Sequence, residues 1–435
     1  MEKKGENKGI APKAIVLVVV VIAVVAVVAV VAYTYAAPKH PVIKEVVVGC
    51  VEPLTGEFAI FGQEVLDGVT LAVKDVNEEG GIKSLGGAQL KLVSEDAGET
   101  VESIRLATER MISTHHPVII EGTFMTYQQL VLDEIAERNK VIVMICSLGN
   151  EVLEPGNQNW FGLCPLITHN GAHCAQFLIE TQQKYAPNDP IKSVAVLTPH
   201  EAFCEYARSG FIDELKKLSP ETEVVYDELY DYMITDVTPL VDAIIRANPE
   251  VVVFGSFFYD GVLLAKSFHE RGFVPRFFAA FDGTAFCDPA SIEAAGEAVE
   301  YYTNTYSYNP AKDTPTNRKF VNAFKELRGY VPTEAAGIGY YNIRCAAEAL
   351  ELSGKMHPED PLRYEYLREA FLTMDLTSGP AVEVYPGDRI RFYPTGEIME
   401  PANAVYQVQH GEVKVVWPFK YSDAEVVFPL PGWKG

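Results

Sequence analysis

Short β-branched segments alternate with helical segments along most of this 435-residue chain. The first predicted strand, Glu45–Val51, is followed by a helix over Gln63–Glu79 that ends at a Gly-Gly pair. Strands that alternate with helices of about ten or more residues form a parallel, doubly wound sheet. The alternation runs to residue 146 and restarts after residue 163, so we predict an α/β fold with two successive lobes.

The same periodicity predicts the other elements. Further strands are expected at 88–94, 118–121, 141–146, 193–197, 223–226, 250–254 and 276–280. Further helices are expected at 100–114, 127–139, 170–185, 204–218, 238–247, 260–271, 316–328 and 334–353. The segment 380–428 alternates short β runs with turn residues, so we expect short strands there.

The N-terminal segment is typical of a membrane-targeting region. Its run from Ala14 to Ala32 contains 19 apolar residues, and four lysines precede it. As a helix this run is ~28 Å long, which is close to the hydrocarbon thickness of a bilayer. We therefore predict a cytoplasmic tail at 1–13, then a transmembrane anchor or a long signal sequence at 14–33. Either alternative exports the remainder of the chain.

Charge and motifs exclude several functional classes. The chain has 36 Lys and Arg against 59 Asp and Glu, a net charge of −23, which repels nucleic acids. Its seven cysteines form no CxxC pair and are expected to be buried thiols. Catalytic signatures such as GxSxG, HExxH and the phosphate-binding loops are missing from the sequence. We predict that the chain is not an enzyme and uses no cofactor.

One group of cysteines and histidines has the composition of a metal site. His169 and His173 are four residues apart, and the group also contains Cys164 and Cys174. The spacing fits no standard zinc motif, so we expect ordinary packing and no metal ligands.

Ligands of open α/β sheets bind beyond the carboxyl ends of the strands. Thr126 opens a helix directly after a strand, where its hydroxyl and the nearby amides can hold a carboxylate. Ser147 and Gly149 follow the next strand in the same way, and Asp282 follows a strand of the second lobe, where it suits an ammonium group. Turn and cap roles account for each of these residues equally well. Aromatic residues crowd the same loops and indicate an apolar pocket: Phe58, Phe61, Tyr127, Phe203, Phe258 and Tyr259.

Several segments resemble the leucine/isoleucine/valine-binding family, the type I periplasmic binding proteins of branched-chain amino acid ABC transporters. The opening loop Pro53-Leu54-Thr55-Gly56, the helix end from Ala72 to Ile82 and the tail from Gln407 to Trp433 carry the resemblance. It implies two Rossmann-like lobes around a central cleft and three crossings between them. Lobe 1 would comprise 44–163 and 306–402, and lobe 2 would comprise 164–305 and 403–435.

The resemblance also implies a function and a set of roles. The chain would bind an amino acid with an apolar or aromatic side chain by hinge closure and deliver it to ABC permease subunits. By position, Thr126, Ser147 and Gly149 would hold the α-carboxylate, Asp282 the α-ammonium, and Phe258 or Tyr259 would close over the ligand. The family usually has a hydroxyl at 149 and a glycine at 204, where this chain has Gly149 and Cys204. Alternatives are a ligand-sensing ectodomain that signals through a partner, or a binder of an amide, urea or aromatic acid.

The apolar run generates one testable prediction. N-terminal sequencing of protein extracted from membranes should find residues that precede Ala14, because the run is longer than the ~7–15 apolar residues of a signal peptide. A mature N-terminus near residue 36 or 37 would contradict the anchor but not the export of the chain.

Overall fold

A computed structural model of the chain describes residues 43–146, 149–153, 156–231, 233–282 and 285–434. The predicted tail at 1–13 and the predicted anchor or signal at 14–33 lie outside these residues, as does Ser147. Within the described ranges, no helix has the length and apolar character needed to cross a membrane.

The first part of the chain forms a parallel sheet of five strands in the order β2-β1-β3-β4-β5. Neighbouring residues of its central strands face opposite sides, and both sides are buried. Ile119 packs on one side and Ile120 on the other, and Ile142 and Val143 divide in the same way. The strands are β1 (Glu45–Glu52), β2 (Gln89–Asp96), β3 (Ile119–Glu121), β4 (Ile142–Met144) and β5 (Trp160–Phe161).

Helices from two regions of the chain pack against this sheet. The first three helices connect its strands, and helices from 315–384 also pack on this part of the structure. The connecting helices are α1 (Ala59–Glu78), α2 (Val101–His115) and α3 (Thr126–Asn139).

A second parallel sheet has four strands in the order β7-β6-β8-β9. Its strands are β6 (Ser193–Pro199), β7 (Glu223–Tyr230), β8 (Val251–Gly255) and β9 (Phe277–Asp282). Its helices are α4 (Ile167–Tyr185), α5 (Ala202–Leu218), α6 (Thr238–Ala247), α7 (Phe258–Glu270) and α8 (Pro289–Ala295). The later helices, which pack on the first part, are α9 (Pro315–Arg328), α10 (Glu334–Met356), α11 (Tyr364–Thr373) and α12 (Pro380–Val384).

Three antiparallel strands form a separate sheet that lies beside β9: β10 (Thr303–Tyr306), β11 (Ala404–Gln409) and β12 (Glu412–Trp417). Two threonine hydroxyls of β10 donate to carbonyls of β9, from Thr303 to Phe278 and from Thr305 to Ala280, each at 3.1 Å. The last strands of the chain therefore belong with the second sheet.

Helices α1 and α10 pack so closely that two glycines are required at their contact. A Cβ atom on Gly68 would lie 2.1 Å from the carbonyl oxygen of Ala336, and one on Gly339 would lie 2.3 Å from that of Val65. The backbone of each helix therefore packs directly against the glycine of the other helix. This contact holds α10 beside the carboxyl ends of β3 and β4.

The α/β prediction is confirmed, and the long strands and helices lie where the periodicity predicts them. The sequence interpretation missed β5, β10, α8, α11 and α12. Strand β5 has two residues and helix α8 has seven, which is too short to show a period. The residue boundaries of the two lobes stay a prediction.

The helix contact generates a stability prediction. Gly339→Ala should lower the free energy of unfolding by about 1–3 kcal/mol, because the added methyl group forces the two backbones apart. Urea unfolding measures the change.

Gly354→Ala on the same helix is the matched control. Its new Cβ would meet side-chain atoms only, the Ser84 hydroxyl at 2.3 Å, Leu85 Cδ2 at 2.8 Å and Ser84 Cβ at 2.9 Å, and not the backbone of another helix, so stability should fall by less than in Gly339→Ala. Equal stability of Gly339→Ala and the wild type would contradict the close contact.

Candidate ligand-binding site

A cavity of about 220 Å³ lies beyond the carboxyl ends of β1, β3, β4, β6 and β8. Loops that follow strands of both parallel sheets line it, together with residues of α4, β10 and α10. This is where ligands bind in open α/β sheets. The lining residues are Phe58, Phe61, Phe124, Met125, Thr126, Tyr127, Leu130, Cys146, Glu151, Ile167, Asn170, Glu201, Phe203, Phe257, Thr305, Glu334 and Ile338.

Two aromatic pairs form the apolar part of the lining. Phe61 stacks on Phe124 with ring centroids 5.2 Å apart and planes within 8°. Phe203 lies in α5 and Phe257 directly precedes α7, and their ring centroids are 6.3 Å apart with planes at 30°. An apolar or aromatic group placed among these rings is removed from water and stabilised by dispersion contacts.

The N-terminus of α3 contributes Thr126 and Tyr127 to the same cavity. The Tyr127 hydroxyl donates to the carbonyl of Glu99 at 2.9 Å, which holds the ring in place. Gly149 lies against Thr126, and a Cβ at 149 would fall 2.4 Å from Thr126 Cγ2 and 2.6 Å from Oγ1. Thr126 therefore leaves no room for a side chain at position 149. This explains why the chain has a glycine there, where the resemblance implies a residue with a hydroxyl group.

Three glutamates line the cavity: Glu151, Glu201 and Glu334. Glu201 caps α5 by accepting a hydrogen bond from the amide of Cys204 at 3.4 Å, and burial raises the pKa of its carboxyl. One carboxylate oxygen of Glu151, Oε2, is buried and accepts no hydrogen bond from the described residues.

Glu334 is the first residue of α10 and accepts a hydrogen bond from the amide of Ser307. Burial raises the pKa of Glu334 to about 7, and the hydrogen bonds from Ser307 oppose the shift. None of the lining residues, all of which lie in the described part of the chain, is Lys, Arg or His. The cavity is therefore electronegative and suits a ligand with an ammonium group.

The structure brings together four of the predicted ligand-binding residues, Phe61, Thr126, Tyr127 and Phe203, and the loop aromatic Phe58 joins them. Gly149 contacts Thr126 from the neighbouring loop. Asp282 is the last residue of β9, and its side chain is outside the described part of the structure, as is Ser147. The ligand-binding roles of all these residues stay predictions.

Phe258 and Tyr259 do not line the cavity, and Phe257 lines it in their place. Phe257 precedes α7, where its amide donates to Asp260 Oδ1 at 2.9 Å. The next two side chains then turn away by about 100° per residue. Phe258 lines a separate recess of about 270 Å³ beside Phe61, and Tyr259 is 65% exposed.

Sequence reasoning missed the three glutamates and Phe257. A signal existed for Glu201, which lies between a strand and a helix at an N-cap position. Glu334 had a weaker signal, because it follows Thr333, which caps α10.

The Cys/His group does not converge. His173 Nδ1 lies 2.6 Å from Asn403 Oδ1, and Cys164 Sγ lies 3.2 Å from the Tyr341 hydroxyl. Burial lowers the pKa of His169 and of His173. All seven cysteines, each in the described part of the chain, are buried and none forms a disulfide bond, which confirms the expectation of buried thiols.

Comparison with known proteins shows the same fold and family. A family model described as periplasmic binding protein matches residues 45–411. An amino acid binding protein of Pseudomonas aeruginosa is 24% identical over 318 residues, which cover 73% of this chain and 81% of the relative.

Two solved structures share the fold. A leucine binding protein from Thermotoga maritima has a TM-score of 0.68 at 23% identity and covers 85% of this chain and 97% of its own. A solute binding protein of an ABC transporter from R. palustris, in complex with benzoate, has a TM-score of 0.67 at 16% identity. That alignment covers 88% of this chain and 98% of the other.

The family model covers most of the chain, and the strand order and cavity position agree with the resemblance drawn from the sequence. The chain therefore belongs to the periplasmic binding protein family, as a type I member.

Proposed function

We propose that this chain is the extracytoplasmic solute-binding component of an ABC uptake system of the branched-chain amino acid type. Its ligand is a small molecule with an ammonium group and an apolar or aromatic side chain, and an amino acid fits this description best. The observation that carries the proposal is a cavity with three carboxyl groups, two aromatic pairs and no basic residue among its lining.

The cavity size supports a ligand of this class. Its volume of about 220 Å³ is below the ~300–1,000 Å³ of sites for drug-sized ligands. Micromolar affinity requires about 8 kcal/mol. Charge-assisted hydrogen bonds at the two ends of a zwitterion supply about 1.5–3 kcal/mol each, and one buried apolar side chain supplies a similar amount. Binding therefore needs no catalytic group, and we propose that the protein binds its ligand without converting it.

The cavity lining contains groups that suit each of the two charges of an amino acid. The N-terminus of α3 with Thr126 suits the α-carboxylate, because amide dipoles and a hydroxyl point toward a ligand at a helix start. Glu201 and Glu334 suit the ammonium group, and Asp282 remains a further candidate from the second lobe. A ligand that contacts residues of both lobes favours the closed form over the open one, which is the condition for hinge closure.

An aromatic acid is the second candidate. The stacked rings favour it, and the R. palustris relative was solved in complex with benzoate. The glutamates argue against it, because an anion without an ammonium group would add negative charge beside them. A neutral amide or urea would not meet this repulsion and remains an alternative ligand.

The proposed function implies a partner and a location for the chain. ABC permease subunits would receive the ligand, and the predicted segment at 14–33 would tether the binding domain on the extracytoplasmic side. A sensor ectodomain would use the same cavity but require a signalling partner instead of a permease.

The glutamates generate a prediction about pH. In a thermal-shift panel, Leu, Ile, Val, Phe or Tyr should raise the unfolding temperature most, because a ligand that binds the native state stabilises it. The affinity for the best of these should rise about 10-fold or more between pH 5.5 and pH 8. Glu334 loses its proton near pH 7 in the free protein, and only its ionised form attracts the ammonium group. Isothermal titration calorimetry at several pH values measures this.

Glu334→Gln should bind more weakly at pH 8 and show a flatter pH profile. Glu348→Gln is the control. Glu348 is another carboxyl group of α10 whose pKa is raised by burial, but it does not line the cavity, so its removal should leave the pH profile of ligand affinity unchanged. Asp282→Ala in the same assay tests the second-lobe candidate. Tighter binding of benzoate at low pH, without binding of any amino acid, would contradict the ammonium ligand and favour an aromatic acid.

A further inference from the structure

Three strands of the first sheet end beneath the cavity and bring three ligating side chains together. Glu52 ends β1, Glu121 ends β3, and Cys146 follows β4 by two residues. One ligand atom from each, a carboxylate oxygen or the thiol sulfur, lies within 4.8 Å of the other two, and all three residues are buried. We call Glu52, Glu121 and Cys146 the buried acidic cluster.

The buried acidic cluster has no counter-cation in the protein. Among the described residues, no lysine or arginine forms an ion pair with Glu52 or Glu121. Glu121 instead accepts hydrogen bonds from Asn342 Nδ2 at 3.2 Å and from the Cys50 thiol at 3.9 Å, while Glu52 accepts one from the Phe124 amide at 2.9 Å. Two buried carboxyl groups with oxygens within 4.8 Å of each other require protons or a cation for neutrality, because isolated buried charges are costly.

Two buried oxygen atoms point to something that is not part of the described protein. Glu52 Oε1 and Asn342 Oδ1 each lack a hydrogen-bond partner among the described residues, although both residues are fully buried. Buried oxygens of this kind are rare in folded proteins and call for an ion, a water molecule or another donor. Glu52 Oε1 belongs to the cluster itself, and Asn342 lies next to it, because its Nδ2 donates to Glu121 and to the carbonyl of Ile145.

We propose that the buried acidic cluster binds a thiophilic divalent cation of the zinc class. Zn²⁺ accepts mixed thiolate and carboxylate ligands, at about 2.3 Å to sulfur and 2.0–2.2 Å to oxygen. Tetrahedral ligands at those distances are about 3.5 Å apart, so the side chains need to move together by roughly 1 Å. The thiol and any protonated carboxyl release their protons when the ion binds.

The donor set distinguishes between metals. Ca²⁺ takes six to eight oxygen ligands and Mg²⁺ retains several waters, so neither suits a small site with a sulfur ligand. A thiolate beside two carboxylates suits Zn²⁺ or Co²⁺. The side-chain amide of Asn342 supplies the orienting contact to Glu121 that metal ligands usually have.

The ligand cavity is adjacent to the buried acidic cluster. Cys146 belongs both to the cavity lining and to the buried acidic cluster, so an ion in the cavity would meet the thiol first. The carboxyls lie beneath it. A bound ion would therefore form part of the floor of the cavity, without any of its ligands being a glutamate assigned to the ammonium group.

Co²⁺ titration of the chelator-treated protein tests the proposal. We expect a thiolate-to-Co²⁺ charge-transfer band in the near ultraviolet that saturates at one ion per chain and disappears when Zn²⁺ is added. Zn²⁺ alone should raise the unfolding temperature of the wild type. Absence of the band in the wild type would overturn the proposal, whether or not any variant folds.

Variants assign the band to the cluster. Cys146→Ser should abolish the charge-transfer band and weaken Zn²⁺ binding by more than about 100-fold. Loss of a residue that only supports a metal ligand costs at most about 100-fold, so a larger loss indicates a direct ligand. The double variant Glu52→Gln/Glu121→Gln should also lose the band. Cys287→Ser removes another buried thiol, bonded to the carbonyls of Tyr302 and Tyr406, and should keep the band. A band that survives in Cys146→Ser would overturn the proposal by placing the ion at another thiol.

Discussion

The close contact between helices α1 and α10 is the constraint on which the cavity depends. Gly68 and Gly339 let each helix receive the backbone of the other. This contact places one face of α10 beside the ends of the first sheet. Three residues at a spacing of four, Glu334, Ile338 and Asn342, then run from the cavity down to the buried acidic cluster. The carboxyl of Glu334, the apolar side chain of Ile338 and the amide of Asn342 are thus all held by the same helix, α10.

Negative charge without positive charge is the second feature of the site. Carboxyl groups that lose contact with water hold their protons more tightly, which explains the raised pKa of Glu334 and Glu201. The ammonium group of a bound ligand would neutralise the ionised carboxylate in place of that proton. Ligand binding and proton release are then linked.

Sequence patterns predicted the elements and the loops of this protein better than the individual side chains. Long strands and helices have periods that a single sequence shows, and the carboxyl ends of strands identified the loops that carry Phe61, Thr126 and Phe203. Phe257, Phe258 and Tyr259 are adjacent aromatics, and only the start of α7 decides which of them faces the cavity. Glu52, Glu121 and Cys146 are far apart in the chain, and they meet because β1, β3 and β4 are neighbours in the sheet. No local pattern encodes that neighbourhood.

A small molecule with an ammonium group is the ligand that we propose for the cavity. Mass spectrometry of the small molecules released when the purified protein is denatured tests it most directly. We expect a compound with a primary amine and an apolar or aromatic side chain, in a ratio approaching one per chain. An aromatic carboxylate without an amine, or a sugar, in that ratio would contradict it.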